Sequence, residues 1–229
     1  MTRKSLFGRR RSGPLDMTDF EARRHRMVEH QILRRGLTDP RVLAAMREIP
    51  RHFFLPPNER DLAYDDHALP IGHGQTISQP YIVAFMAGAL ELTEGLRVLE
   101  VGAGSGYQAA VLAACGARVF GIERIPQLLD AARENLLATG YADQVKLRLG
   151  DGSRGWIERA PFDRILISAA TETVPPSLIA QLGESGMLTA PIGGPGSQEI
   201  SRFRRRPGEK LEEERLIGAR FVPLVSDLT

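Results

Sequence analysis

The 229-residue chain has one cysteine, Cys115, so no internal disulfide can form. Cys115 follows the apolar run 109–114 and reads as a small core residue. Long apolar runs are missing too. A membrane-spanning helix needs ~20 consecutive apolar residues, and the best stretch, 81–90, is shorter and interrupted by Gly88. The arginines near the start lead into Ser12-Gly13-Pro14 and not into an apolar segment, which argues against a secretory signal. With no signal and no disulfide framework, a cytoplasmic protein without a membrane anchor is expected. Metal-ligand spacing is also lacking. Of His25, His30, His52, His67 and His73, only His25 and His30 are close within one helical pattern. Five apart, they do not share a face as an i, i+4 pair would. Asp65-Asp66 reads as a loop or cap pair, so no metal is expected. There is no internal repeat.

What is present is ordinary for a soluble globular protein: 42% hydrophobic and 25% charged residues. Such a chain fills one domain and hides roughly 70% of its unfolded surface on folding. The net charge of +2 conceals an asymmetry. Residues 1–16 hold five basic side chains against Asp16, a net +4, and the remainder sums to −2. A basic tail can touch nucleic acid or acidic lipid. Here it reads as a solvated, disordered extension to a single domain over 17–229, and no nucleic-acid partner is expected.

Residues 19–35 carry an amphipathic helix pattern ended by Gly36. A second helix starts with Asp39 as N-cap and Pro40 at its first position, and Pro50 stops it. Prolines 56, 57, 70 and 80 then mark a loop-rich stretch before a helical pattern over 81–92. From Gly95 the chain alternates strand and helix. Strands are expected at Arg97–Val101, Arg118–Glu123, Val145–Leu149, 164–168 and 186–192, with helices at 107–115, 126–139 and 176–182. Repeated βα units imply an α/β fold: a doubly wound, mostly parallel, Rossmann-like sheet behind an N-terminal helical cap (17–94). Strands at 199–206 and 215–224, joined by a charged turn around Pro207-Gly208, predict an antiparallel hairpin at one sheet edge.

The segment Val98-Leu99-Glu100-Val101-Gly102-Ala103-Gly104-Ser105-Gly106 holds the chemistry. Gly102, Gly104 and Gly106 let the chain turn sharply after a strand and let a ligand approach the backbone. The dinucleotide fingerprint is G-x-G-x-x-G. Here the spacing is G-x-G-x-G and Tyr107 occupies the last glycine's place, which favours a nucleoside without pyrophosphate. Glu123 ends the next strand, where a carboxylate can accept bonds from ribose hydroxyls. Asp151-Gly152 ends the third, within reach of an adenine amino group. The plainer readings are a strand-end acid beside Arg124 and a simple turn.

Beyond these local signals, the chain resembles the protein-L-isoaspartate O-methyltransferases from about Arg26 to Leu224. The most specific match is 66–80, through Gly72-His73-Gly74-Gln75-Thr76-Ile77-Ser78-Gln79-Pro80. Pro50-Arg51-His52-Phe53, 100–108, Gly150-Asp151-Gly152 and Arg220-Phe221-Val222-Pro223 agree. The resemblance implies the fold of S-adenosylmethionine methyltransferases. It implies methyl transfer from S-adenosyl-L-methionine to the free α-carboxylate of isoaspartyl, and D-aspartyl, residues in damaged proteins. By the family's pattern Ser78 is the active-site residue and Thr76 lies beside it. Gly102, Ala103, Gly104, Gly106, Glu123, Asp151, Gly152 and Gln198 carry over as cofactor contacts. One departure stands out: Glu172 replaces the usual proline in Thr171-Glu172-Thr173, a loop expected to face substrate. Other readings are an aspartyl methyltransferase for a dedicated peptide, a non-catalytic binding module, and an NAD oxidoreductase. A monomer is the default expectation.

Overall fold

The computed structural model describes residues 17–206, 208 and 211–226. The basic segment 1–16 and part of the turn at Pro207-Gly208 lie outside them. The cap begins with α1 (Met17–Met27), which continues as a π turn over Val28–Ile32 and a 3-10 turn over Leu33–Arg35. One uniform helix over 19–35 is therefore not what forms. The change of pitch keeps Met27, Val28 and Ile32 all buried, and Gly36 ends the run at φ 86°. Helix α2 (Pro40–Glu48) starts as its sequence predicts: Asp39 Oδ1 accepts from the amides of Arg41 (2.9 Å) and Val42 (3.2 Å). A cap of this kind is worth ~1 kcal/mol.

The loop-rich stretch holds an element its prolines and glycines concealed. Strands β1 (Leu69–Gly72) and β2 (Gln75–Ile77) form a small antiparallel hairpin. Its two-residue turn is His73-Gly74, with φ of 53° and 71°. Positive φ at both positions matches the twist of the flanking strands, so a G-H-G sequence is a turn signal here. Helix α3 (Pro80–Ala89) follows at once, with Pro80 in its first turn.

The remaining elements are β3 (Arg97–Val101), α4 (Tyr107–Ala114), β4 (Arg118–Glu123), α5 (Pro126–Ala138), β5 (Val145–Leu149), β6 (Phe162–Ile167), α6 (Pro176–Gln181), β7 (Leu182–Ile192), β8 (Gln198–Arg204) and β9 (Glu212–Ala219). They build a seven-stranded sheet in the order β5-β4-β3-β6-β7-β8-β9. The first five strands in that order run parallel, and β8 and β9 pair antiparallel at the edge. This is the doubly wound sheet with an edge hairpin that the alternation predicts. The final strand ends earlier than expected, at Ala219, because 220–226 leave the edge. The Ala170 amide donates to the Val222 carbonyl and the Leu224 amide to the Ala170 carbonyl, both at 2.7 Å. The chain thereby crosses back over the strand ends.

Both faces of the sheet are covered at its centre, which is why β3, β4 and β6 are largely apolar and buried. Leu99 and Val101 of β3 join Phe120, Ile122, Ile165 and Ile167 on the face packed by α6. Val98 joins the other core, with α4, α3 and the cap helices. By the alternation of a strand, Glu100 shares the face of Val98. Successive strands are added on one side of β3 through β4 and β5 and then on its other side from β6, and the crevice above that switch point is where ligands of such sheets bind.

Candidate active site

Three glycines after β3 make the floor of the site. Gly102, Gly104 and Gly106 have φ of 85°, 55° and 88°, a region that side chains other than glycine's rarely enter. The amides of Gly102 (2.9 Å) and Ala103 (3.1 Å) donate to the Ile122 carbonyl, so the loop is pinned to β4. Gly106 serves packing: a Cβ there would lie 3.3 Å from that of Ala132 in α5. At the end of β4 the buried Glu123 carboxylate accepts from the amides of Gly104 (2.8 Å), Arg124 (2.8 Å) and Ile125 (3.0 Å).

An inner cleft opens above this loop, lined by Gly102, Ala103, Gly104, Glu123 and the returning residues 222–225. Two buried polar atoms on its lining, Glu100 Oε2 and Gln108 Nε2, have no hydrogen-bond partner. Burial pushes the Glu100 carboxyl well above the ordinary carboxylate range, and the nearby Glu123 charge pushes it further. An unpaired carboxyl oxygen and an unpaired amide N–H in a wall of the cleft are suited to a zwitterionic ligand group, the first toward its cation and the second toward its anion. The residues present therefore fit a nucleoside with a charged appendage. Neither was expected as a site residue, although a carboxylate between Leu99 and Val101 in an apolar strand was the available signal.

Thr76 and Ser78, on and just beyond β2, form the rim. They line the inner cleft and also a second, outer cleft of about 540 Å³. Ser168, at the end of β6, lines both as well. The outer cleft is further walled by Asp66, His67, Gln79, Arg220 and Phe221. The Asp66 carboxylate does not face it uncompensated, since it pairs with Arg35 and accepts from Gln79 Nε2 at 2.8 Å.

Other expected residues sit elsewhere. Asp151 Oδ1 accepts from the amide (2.9 Å) and hydroxyl (2.7 Å) of Ser153, capping a 3-10 turn, and neither it nor Gly152 lines the inner cleft. Gly152 is needed for packing: a Cβ there would meet Val101 Cγ1 at 2.5 Å. Gln198 is a buried tie, donating to the Gly194 carbonyl (2.6 Å) and accepting from the Phe221 amide (2.9 Å). It holds the returning chain in place and does not line either cleft. Glu172 is exposed and lines neither cleft. Among the described residues no cluster of three or more His, Cys, Asp or Glu could hold a metal ion. No helix there is long and apolar enough to cross a membrane.

The chain is similar to known proteins over nearly its whole length. The family model described as protein-L-isoaspartate(D-aspartate) O-methyltransferase matches residues 22–229. Protein-L-isoaspartate O-methyltransferase 1 of Rhodopseudomonas palustris (strain HaA2) is 54% identical over 93% of this chain and 86% of its own. A solved protein-L-isoaspartate O-methyltransferase superposes with TM-score 0.79 at 28% identity, covering 90% of this chain and 67% of that one. A Plasmodium falciparum structure described as a candidate protein-L-isoaspartate O-methyltransferase, in complex with S-adenosyl-L-homocysteine, superposes with TM-score 0.76 at 25% identity. It covers 88% of this chain and 98% of that one. This chain belongs to the protein-L-isoaspartate(D-aspartate) O-methyltransferase family.

Proposed function

We propose that this protein methylates the free α-carboxylate of L-isoaspartyl, and D-aspartyl, residues in damaged proteins, with S-adenosyl-L-methionine as donor. One observation carries the reading: Thr76 and Ser78 line a glycine-floored inner cleft and an open outer cleft at once. Two reactants entering from opposite sides would meet at that rim. Bound S-adenosyl-L-methionine supplies the methyl group as an activated sulfonium carbon. The acceptor carboxylate is already ionised at pH 7. Neither a strong base nor a nucleophilic triad is needed, and alignment is the main task, for which proximity can supply ~7–11 kcal/mol.

In this reading Ser78 orients the acceptor carboxylate by donating a hydrogen bond, and Thr76 borders the donor beside it. Gly102, Ala103 and Gly104 let the donor approach the backbone, and Glu123 holds its ribose. Glu100 and Gln108 meet its amino-acid end. Gly106, Asp151, Gly152 and Gln198 act one step back, by keeping the loop, the 3-10 turn and the returning chain in place. Residues 17–229 act as one methyltransferase domain, as a cytoplasmic monomer.

The test is a pair of synthetic peptides differing only in an isoaspartyl or aspartyl linkage. The isoaspartyl member should gain a base-labile methyl ester from labelled S-adenosyl-L-methionine and the other should not. No ester with folded, cofactor-binding protein would end this reading.

A further inference from the structure

Arg51 is a fully buried arginine in the 3-10 turn Arg51–Phe54 of the cap, and it lines neither cleft. Its Nε donates to the Ala63 carbonyl and its Nη2 to the Ser78 carbonyl, each at 2.8 Å. The guanidinium lies over the Tyr107 ring, 4.9 Å from its centroid. Tyr107 is the first residue of α4, immediately after Gly106. Three separate segments therefore meet on one side chain: the cap, the main chain of Ser78, and the helix that opens from the glycine loop. Among the described residues no carboxylate pairs with Arg51, and Nη1 has no partner. Burial pushes the guanidinium down to about 10.

A desolvated cation is a costly way to join two carbonyls and a tyrosine. Its charge also gives no direct help to the chemistry. Methyl transfer joins an anionic carboxylate to a cationic sulfonium and leaves two neutral groups, so charge disappears in the transition state. A nearby cation favours the charged acceptor more than that transition state. What Arg51 offers is geometry: a planar fork that fixes the Ser78 main chain relative to Tyr107.

We propose that Arg51 is a positioning residue for methyl transfer, holding Ser78 at a set distance from the glycine loop by clamping the Ser78 carbonyl against Tyr107. This rests on the reading of Ser78 above. Lysine keeps the charge but cannot replace the fork, so Arg51→Lys should lower kcat on the isoaspartyl peptide by ~10–100-fold, the range expected when a group is displaced by about 1 Å. Its affinity for S-adenosyl-L-homocysteine, read by calorimetry, should stay within about twofold, since Arg51 does not line the inner cleft. In Arg51→Ala, added guanidinium at low millimolar concentration should restore part of kcat and leave the wild-type enzyme unaffected.

Arg51→Lys at wild-type kcat overturns the proposal. So does a loss that follows the folded fraction and cofactor affinity alike, without guanidinium rescue, because Arg51 is then purely structural. Failure of both variants to fold overturns it in the same way. An inactive but folded wild-type enzyme fails the functional reading instead, which keeps the two apart.

Discussion

Glu123 Oε2 accepts the Gly104 amide at 2.8 Å, so the acid ending β4 is bonded to the loop that follows β3. Its other oxygen takes the amides of Arg124 and Ile125. The carboxylate organises the floor of the inner cleft before any ligand arrives, and its charge strengthens each bond.

Replacement Glu123→Gln keeps the shape and removes the charge. Hydrogen bonds to a charged group are worth ~1.5–3 kcal/mol each. Affinity for S-adenosyl-L-homocysteine should fall by roughly 10–100-fold, read by calorimetry. A change under twofold would remove Glu123 from the binding site.

Ser78→Ala should behave in the opposite way. It removes a hydroxyl from the shared rim and nothing from the floor. Turnover of the isoaspartyl peptide should fall by ~100-fold or more, with cofactor affinity unchanged. An undiminished rate would show that the hydroxyl orients nothing.

Glu100, on the inner-cleft lining, should make cofactor binding depend on pH. Its carboxyl is raised by burial and then by the Glu123 charge, so it stays protonated above the ordinary carboxylate range when the cleft is empty. A cationic amino group beside it favours the ionised form. Binding should therefore release a proton and tighten as pH rises, up to the raised value. Calorimetry in buffers of different ionisation enthalpy counts that proton, and Glu100→Gln should abolish the release. Equal heats in all buffers would contradict this.

His52 sets an acid limit on stability. Its ring stacks on Phe20 at 4.3 Å and its Nδ1 bonds the Tyr64 hydroxyl at 2.7 Å. Burial, then Arg24, Arg60 and Arg23, push its value from 6.5 down to about 4. A group depressed in the folded state contributes stability above its unfolded value and loses it as pH falls through the folded one. Stability should thus drop between pH 6.5 and about 4, by on the order of 2–3 kcal/mol. Denaturant melts of His52→Phe should lack that slope.

Gly152→Ala places a methyl 2.5 Å from Val101 Cγ1, inside the sheet core. A loss of ~1–3 kcal/mol is expected from such overpacking. Gly194→Ala, with open space at its Cβ, should cost little. Equal denaturation midpoints for the two variants would refute the packing argument.

The sheet and its glycine loop were legible because their signals are local. Short apolar runs alternate with helical periods, and positive φ at three successive alternate positions strongly favours glycine. The β1–β2 hairpin was not legible. Its strands are four and three residues long and contain Pro70, and short strands with proline read as loop. The site was half visible for the same reason. Gly102, Gly104 and Glu123 lie at strand ends in the chain, whereas Glu100 stands out only because its buried oxygen has no partner on the cleft lining.

The amino-acid sequence by itself determined the parallel sheet, the nucleoside-type loop and, through residues 66–80, the family. Spacing along the chain suffices for these, because each rests on residues within one strand, turn or motif. Only the tertiary structure decided how the pieces meet. It set the Ser78 hairpin against the glycine loop, buried Arg51 between them and brought 220–226 back over the strand ends. It also engaged Gln198 as a structural tie between Gly194 and Phe221. Those outcomes depend on hydrogen bonds and packing between segments far apart in the chain, and no local spacing encodes them.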